Sequence, residues 1–278
     1  MISAKAFAPA NISCIFKVYE HKNPRWMGSY GAGFTLNHGV TVSVSKSRKL
    51  TVLFNNKKIN FPTVFSVVKK LTKEKLRVYI KTKLPLGCGF GLSGASALAT
   101  AFAVNKLLKL KKTKKELAII AHTAEVENKT GLGDVVNQYY GGFCLKFKPS
   151  SYFIVNKIPI KNINVYCKYF SGIATGSIIS SQKLKNSINK AAAIALNKIK
   201  KLLAHDKKIN LGDIIDISKE FSIDSGLLKE KDTMKTIKLI EKNGGKASMI
   251  MLGNAVFSNM PFKGSIKFKI SNKGAHVL

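Results

Sequence analysis

Four glycines stand within the eight residues from Gly87 to Gly94, in the run Pro85-Leu-Gly-Cys-Gly-Phe-Gly-Leu-Ser-Gly94. The pattern of Leu76–Thr82 before it predicts a strand. After it, Leu98, Ala101, Phe102, Val104 and Leu108 predict a helix with a broad apolar face. A strand, a glycine loop and a helix in this order strongly constrain what the chain can fold into. Glycine lets the backbone take positive φ and approach a ligand closely. The first turn of the following helix presents unpaired N–H groups and the positive end of its dipole. Together they suit a di- or triphosphate; the simpler alternative is a turn that needs glycine only for packing.

Two common phosphate-binding signatures fit poorly. Gly89-Phe-Gly-Leu-Ser-Gly94 has GxGxxG spacing, but a dinucleotide site needs an acidic residue at a strand end about 20 residues on. Here that place falls to Glu116, which pairs with Thr113 as a capping box opening a helix. Gly89 and Gly94 also have the Walker A spacing, yet Ala95 replaces the lysine that should follow. Such a cradle must rely on backbone N–H groups and a metal. The chain has only 14 acidic residues, and Glu125, Glu127 and Asp134 lie within ten positions of one another. Glu125 and Glu127 fall near the end of a helix predicted over Lys114–Asn128, and Asp134 follows the break Thr130-Gly-Leu-Gly133. Phosphoryl transfer uses a hydroxyl and a carboxylate on Mg²⁺, and a second carboxylate toward the acceptor. Glu125 and Asp134 fit those roles, while Glu127 reads as a helix-surface partner for lysine.

The formal charge of +33 comes from 47 Lys+Arg, of which only Arg25, Arg48 and Arg77 are arginine. Arginine is the residue suited to bidentate contacts with phosphate and guanine, so sequence-specific nucleic-acid reading is not expected. The spread of lysines reads as a solvated basic surface, with non-specific polyanion binding as the competing reading. There is no apolar run of 18 residues, so no membrane span is expected, and no secretory signal pattern opens the chain. Cys14, Cys88, Cys144 and Cys167 form no CxxC pair and the five histidines are scattered. Reduced thiols in a cytoplasmic protein without a zinc site are expected.

Further strands are predicted at Val40–Val44, Leu50–Phe54, Phe143–Phe147, Phe153–Ile158, Asn164–Phe170, Ser248–Leu252, Ala255–Ser258 and Ser265–Ile270. Further helices are predicted at Gln182–Leu203, Leu211–Phe221 and Lys231–Lys242. Helices and strands mix without strict alternation, which argues an α+β fold. The turn Lys148-Pro-Ser-Ser151 places a boundary nearby, dividing the chain into domains 1–160 and 161–278.

The run Pro85–Ala95 resembles the phosphate loop of the GHMP kinase superfamily (galacto-, homoserine, mevalonate and phosphomevalonate kinases), Pro-x-x-x-Gly-Leu-Gly-Ser-Ser-Ala-Ala. Gly-Phe-Gly stands for Gly-Leu-Gly, Leu92 for the first serine, and Ser93 matches the second. Ala8-Pro9-Ala10 resembles the family's N-terminal element, and Gly133-Asp134 followed by Gly141-Gly142 its later one. Residues 89–95, 125–134 and 248–253, with Gly28-Ser-Tyr-Gly-Ala-Gly33, look like the archaeal pantoate kinase branch. The resemblance implies a two-domain GHMP kinase fold: an N-terminal α+β domain with the glycine-rich phosphate loop, and a ferredoxin-like C-terminal domain. It implies ATP and Mg²⁺ as cofactors, with the ATP phosphates on Pro85, Gly87, Gly89, Gly91, Ser93, Gly94 and Ala95. It puts Mg²⁺ between Ser93 and Glu125, and makes Asp134 the candidate base. Ser29, Gly31, Gly33 and Gly131 are the candidate substrate contacts. The implied reaction phosphorylates the terminal hydroxyl of (R)-pantoate, giving 4-phosphopantoate for coenzyme A synthesis. The implied partner is that small molecule, with no specific nucleic acid, no membrane, and a homodimer as the candidate assembly. The alternatives are a GHMP kinase acting on homoserine, mevalonate or shikimate and, from another class, a basic polyanion-binding protein.

Overall fold

The computed structural model describes residues 2–160, 163–173, 175–204 and 209–278. The chain opens with two long strands, β1 (Ser3–Tyr19) and β2 (Gly28–Lys46), paired antiparallel along most of their length. In β1, Ala4, Ala6, Ala8, Ala10, Ile12 and Cys14 alternate onto one buried face, as the two-residue period of a strand requires. The register shifts between Pro9 and Asn11 and again between Ser13 and Ile15. Proline cannot donate to the ladder, so a bulge is where a strand tolerates it. Strand propensity points only to Val40–Val44 in this hairpin, because the alanines of β1 are poor strand formers.

Next come β3 (Thr51–Phe54), β4 (Lys57–Lys58), α1 (Pro62–Leu71) and β5 (Leu76–Lys81). Helix α1 was not expected. Its first turn has no side-chain cap or acidic residue, and its buried residues, Thr63, Val64, Val67 and Val68, are β-branched types that disfavour helix. Then follow α2 (Leu92–Leu108), α3 (Lys114–Glu127), α4 (Asp134–Tyr140), β6 (Phe143–Lys146) and β7 (Asn156–Ile158). The Thr113–Glu116 capping box opens α3 as predicted. Helix α2 is apolar all round and buried from Gly94 to Val104. Its alanines let it lie close against β1, β2, α1 and α3. The predicted strand start at Phe153 is taken by a 3-10 turn, Ser150–Tyr152, closed by Phe153 at φ 54°.

The second half holds β8 (Asn164–Gly172), α5 (Thr175–Ser180), α6 (Gln182–Ala204), α7 (Leu211–Asp224), α8 (Lys231–Lys242), β9 (Ala247–Met249), β10 (Gly253–Ser258), β11 (Ile266–Lys269) and β12 (His276–Val277). β9 is shorter than the predicted Ser248–Leu252, because the chain turns at residues 250–252 with Leu252 at φ 63°. The result is a two-domain α+β architecture built on two sheets. The first is eight-stranded, with central order β12-β1-β2-β5-β3-β4 and with β6 and β7 added at β2. It is mixed, since β3 and β5 run parallel. The second is four-stranded and antiparallel, in the order β11-β8-β10-β9. Helices α6 and α7 pack on β1, joining the layers. Glu127 pairs with Lys70 at 2.8 Å on the surface, as read from sequence. Among the described residues no helix is long and apolar enough to cross a membrane.

Candidate active site

The N-terminus of α2 has no side-chain cap. Its N-cap is Gly91 at φ 61°, a conformation glycine adopts without the Cβ clash other residues suffer. A Cβ there would also lie 3.0 Å from Gln138 Nε2 and 3.2 Å from Asp134 Cγ. The glycine loop therefore meets helix α4 backbone to side chain. Gln138 is fully buried one helical turn beyond Asp134, and its Nε2 donates to Gly91 O at 2.7 Å. The loop residues Gly87, Gly89, Gly91 and Ser93 line a cavity of about 400 Å³, and Asp134, Gly131, Ser29 and Lys146 line it too.

Asp134 begins α4 directly after Gly133. Its Oδ1 accepts from Asn11 Nδ2 at 2.7 Å and from Ser13 Oγ at 3.0 Å. Both donors come from β1, just past the Pro9 bulge. The two bonds share one oxygen and leave Oδ2 for another partner. Burial pushes the Asp134 carboxyl above the usual aspartate value, and the nearby Lys146 charge and the Ser13 and Asn11 hydrogen bonds oppose that rise.

Glu125 lies behind the loop and is only 1 % exposed. Its carboxylate is wedged between two glycines: a Cβ on Gly131 would come within 2.4 Å of it and one on Gly94 within 2.8 Å. Thr130 Oγ1 donates to Glu125 Oε1 at 3.1 Å. Burial, then the negative charge of Asp134, push the Glu125 carboxyl up to about 8, against hydrogen bonds from Ser93 and Thr130. A buried carboxylate with a second acid nearby and a serine hydroxyl at hand is a hard-oxygen environment short of positive charge. That suits Mg²⁺, which takes one or two protein oxygens and completes its shell from phosphates and water. Among the described residues no larger His, Cys, Asp or Glu cluster offers a different kind of metal site, and the four cysteines are buried free thiols.

Lys146, at the end of β6, is 3 % exposed. Its Nζ donates to Asn137 Oδ1 at 3.0 Å and to Gly133 O at 3.2 Å, and Asn137 Nδ2 donates to Asn11 Oδ1 at 2.9 Å. A chain of polar contacts thus runs from Lys146 through Asn137 and Asn11 to Asp134. Burial pulls the Lys146 ammonium down from the usual lysine value, and attraction to Asp134 counters that. Beside it, a Cβ on Gly133 would fall 2.3 Å from Ser29 Oγ.

The structure separates the residues marked in sequence. Gly87, Gly89, Gly91, Ser93, Gly131, Ser29 and Asp134 border the cavity. Gly94 sits just behind it against Glu125, and Ala95 is fully buried in α2. Pro85 precedes the lining. Gly31 and Gly33 do not reach the cavity; they pair with Phe16 and Ser13 inside the β1–β2 ladder. Asn11, Ser13, Gln138 and Lys146 were not marked. Two of them left a faint trace, since Asn11 interrupts Ala10 and Ile12, and Lys146 interrupts Phe143-Cys-Leu and Phe147.

Residues 62–142 match the GHMP kinases N-terminal domain. A pantoate kinase of Methanocaldococcus jannaschii is 32% identical over 90% of this chain and 90% of its own length. A pantoate kinase of Methanospirillum hungatei is 31% identical over 91% of this chain and 86% of its own. Among solved structures, a phosphotransferase related to the CoA biosynthesis pathway superposes with a TM-score of 0.84 at 25% identity, covering 99% of this chain and 98% of its own. A homoserine kinase from Cytophaga hutchinsonii shares the fold, with a TM-score of 0.70 at 20% identity over 99% of this chain and 97% of its own. With the cavity, its paired carboxylates and these similarities together, the chain belongs to the pantoate kinase family of the GHMP kinases.

Proposed function

We propose that this chain transfers the γ-phosphoryl group of ATP to the terminal hydroxyl of (R)-pantoate, giving 4-phosphopantoate and ADP for coenzyme A synthesis. The observation that carries the reading is the contact of Asp134 with the N-cap of α2, where a Cβ on Gly91 would lie 3.2 Å from Asp134 Cγ. A carboxylate stands where an acceptor must meet a phosphate held on open helix amides.

The ATP phosphates lie along residues 85–95. Ser93 and Glu125 would hold Mg²⁺, which when bound would neutralise charge on the phosphate oxygens. Asp134 takes the acceptor hydroxyl on Oδ2, orients its oxygen toward the γ-phosphorus and receives its proton as the new O–P bond forms and the bond to ADP breaks. The raised position of the Asp134 carboxyl makes it a better proton acceptor than an ordinary aspartate. Lys146, buried and in no ion pair among the described residues, meets the carboxylate of pantoate together with Ser29. The division into domains 1–160 and 161–278 goes with this reading. The β11-β8-β10-β9 order, fourth, first, third and second strand of its half, supports a ferredoxin-like C-terminal domain.

The test is ATP consumption on a panel of pantoate, homoserine, mevalonate and shikimate, with the Asp134→Asn variant alongside. Activity on pantoate is expected, with kcat in the variant down about 10²–10⁴-fold and the fold unchanged. Robust activity on another acceptor and none on pantoate overturns the substrate. Near-normal turnover by Asp134→Asn overturns the role of Asp134.

A further inference from the structure

The turn between β9 and β10 carries a residue in an unexpected place. Leu252 has φ 63°, a left-handed conformation that crowds any Cβ and that bulky residues rarely take. The adjacent glycine does not relieve it. Gly253 serves a close approach instead, since a Cβ there would fall 2.3 Å from Cys88 O. The sequence thus keeps a leucine where the backbone favours glycine. Strain held at one residue calls for a reason in what its side chain touches.

That side chain borders the catalytic cavity and is half-buried. The turn is tied down on both sides of the chemistry. Met251 N donates to Ser13 O at 3.2 Å, and Ser13 Oγ donates to Asp134. On the other side a Cβ on Gly89 would meet Ile250 Cγ2 at 2.8 Å and Met251 O at 3.1 Å. Leu252 therefore lines the same cavity as the glycine loop and Asp134, in a turn held to both. Of the other aliphatic residues that line the cavity, Ile15, Leu132 and Met251 are nearly fully buried, Ile173 is half-buried and Leu86 is exposed. Leu252 is half-buried, and its turn comes from the second half of the chain.

We infer that Leu252 is a specificity-determining residue for the acceptor, its side chain forming the apolar wall against which a hydroxy acid's branched, methyl-bearing carbon packs. This rests on the pantoate reading and deepens it: the class selected is a short hydroxy acid with a quaternary carbon next to the reacting CH₂OH. An unbranched hydroxy acid would leave the wall unfilled and its own chain loosely placed.

The test compares kcat/KM for (R)-pantoate and for 2,4-dihydroxybutyrate, the same acid without the two methyls, in wild type, Leu252→Gly and Leu252→Asn. Both replacements take a left-handed backbone readily, so both variants fold. The wild type is expected to prefer pantoate by about 10- to 200-fold, the range that small apolar groups command in a pocket. Each variant is expected to lose most of that preference, with the KM for ATP unchanged. A merely structural role would lower activity on both acids alike. An unchanged preference in both variants, or an equal loss on both acids, overturns the inference and leaves the pantoate reading standing. A wild-type chain inactive on pantoate overturns the pantoate reading, and Leu252's role falls with it.

Discussion

In the absence of metal, Glu125 holds its proton up to about pH 8, chiefly because it is buried and secondly because Asp134 is nearby. A carboxyl that binds its proton more tightly folded than unfolded takes up protons on folding between the two values. Stability is then lost as pH rises from 4.5 to about 8. At about 1.4 kcal/mol per unit, that rise amounts to about 5 kcal/mol. Mg²⁺ at Ser93 and Glu125 must displace this proton, so its affinity falls about tenfold for each unit below pH 8 and levels off above it. The assay is calorimetric binding of Mg²⁺ with a non-hydrolysable ATP analogue from about pH 6 to about pH 9, in wild type and Glu125→Gln. The nucleotide's own titration is common to both proteins and cancels in their ratio. Wild type should gain about 50-fold over the variant between about pH 6 and about pH 8. In metal-free buffer above pH 8, Glu125→Gln should be the more stable of the two by denaturant unfolding. A ratio that does not change with pH refutes the placement of the metal at Glu125.

Lys146→Met should raise the KM for pantoate by about 30- to 1000-fold, the effect of removing one partner from a buried charge contact, while the KM for ATP stays put; steady-state kinetics on both substrates checks it. His122 is 1 % exposed, and its Nε2 donates to Met27 O at 2.9 Å. Burial pulls its imidazole down to about 4. Below pH 6.5 the unfolded chain therefore binds the extra proton first, and stability is fully present above 6.5 and lost as pH falls toward 4. At about 1.4 kcal/mol per unit the loss is about 3 kcal/mol. Urea unfolding at neutral and acid pH should show it in wild type and not in His122→Gln.

Local chemistry was legible along the chain. The loop from Pro85 to Gly94 declared itself because its glycines and the helix after it are neighbours in sequence. Glu125 and Asp134 stood out because carboxylates are scarce here, and a Gly-x-Gly break between them could fold the chain back. Lys146 and Asn11 were not legible as site residues. Their roles depend on strand pairing over more than 100 residues: β6 joins β2, and β1 carries Asn11 up to a helix that begins at Asp134. Gly28–Gly33 misled in part for the same reason. Ser29, Gly31 and Gly33 all pair with β1, yet only Ser29 reaches the cavity, and nothing within six residues distinguishes them.

The sequence by itself determined the glycine loop before a helix, the two carboxylates and the α+β character, since each rests on backbone freedom, charge and periodicity within about 40 residues. Only the tertiary structure decided which groups surround those carboxylates. Burial sets how tightly Glu125 and Asp134 hold their protons, and burial is a property of everything packed around them. Bringing Lys146, Ser13 and the strained Leu252 to the same cavity takes two sheets and a turn from the far half of the chain, contacts whose partners no local pattern names.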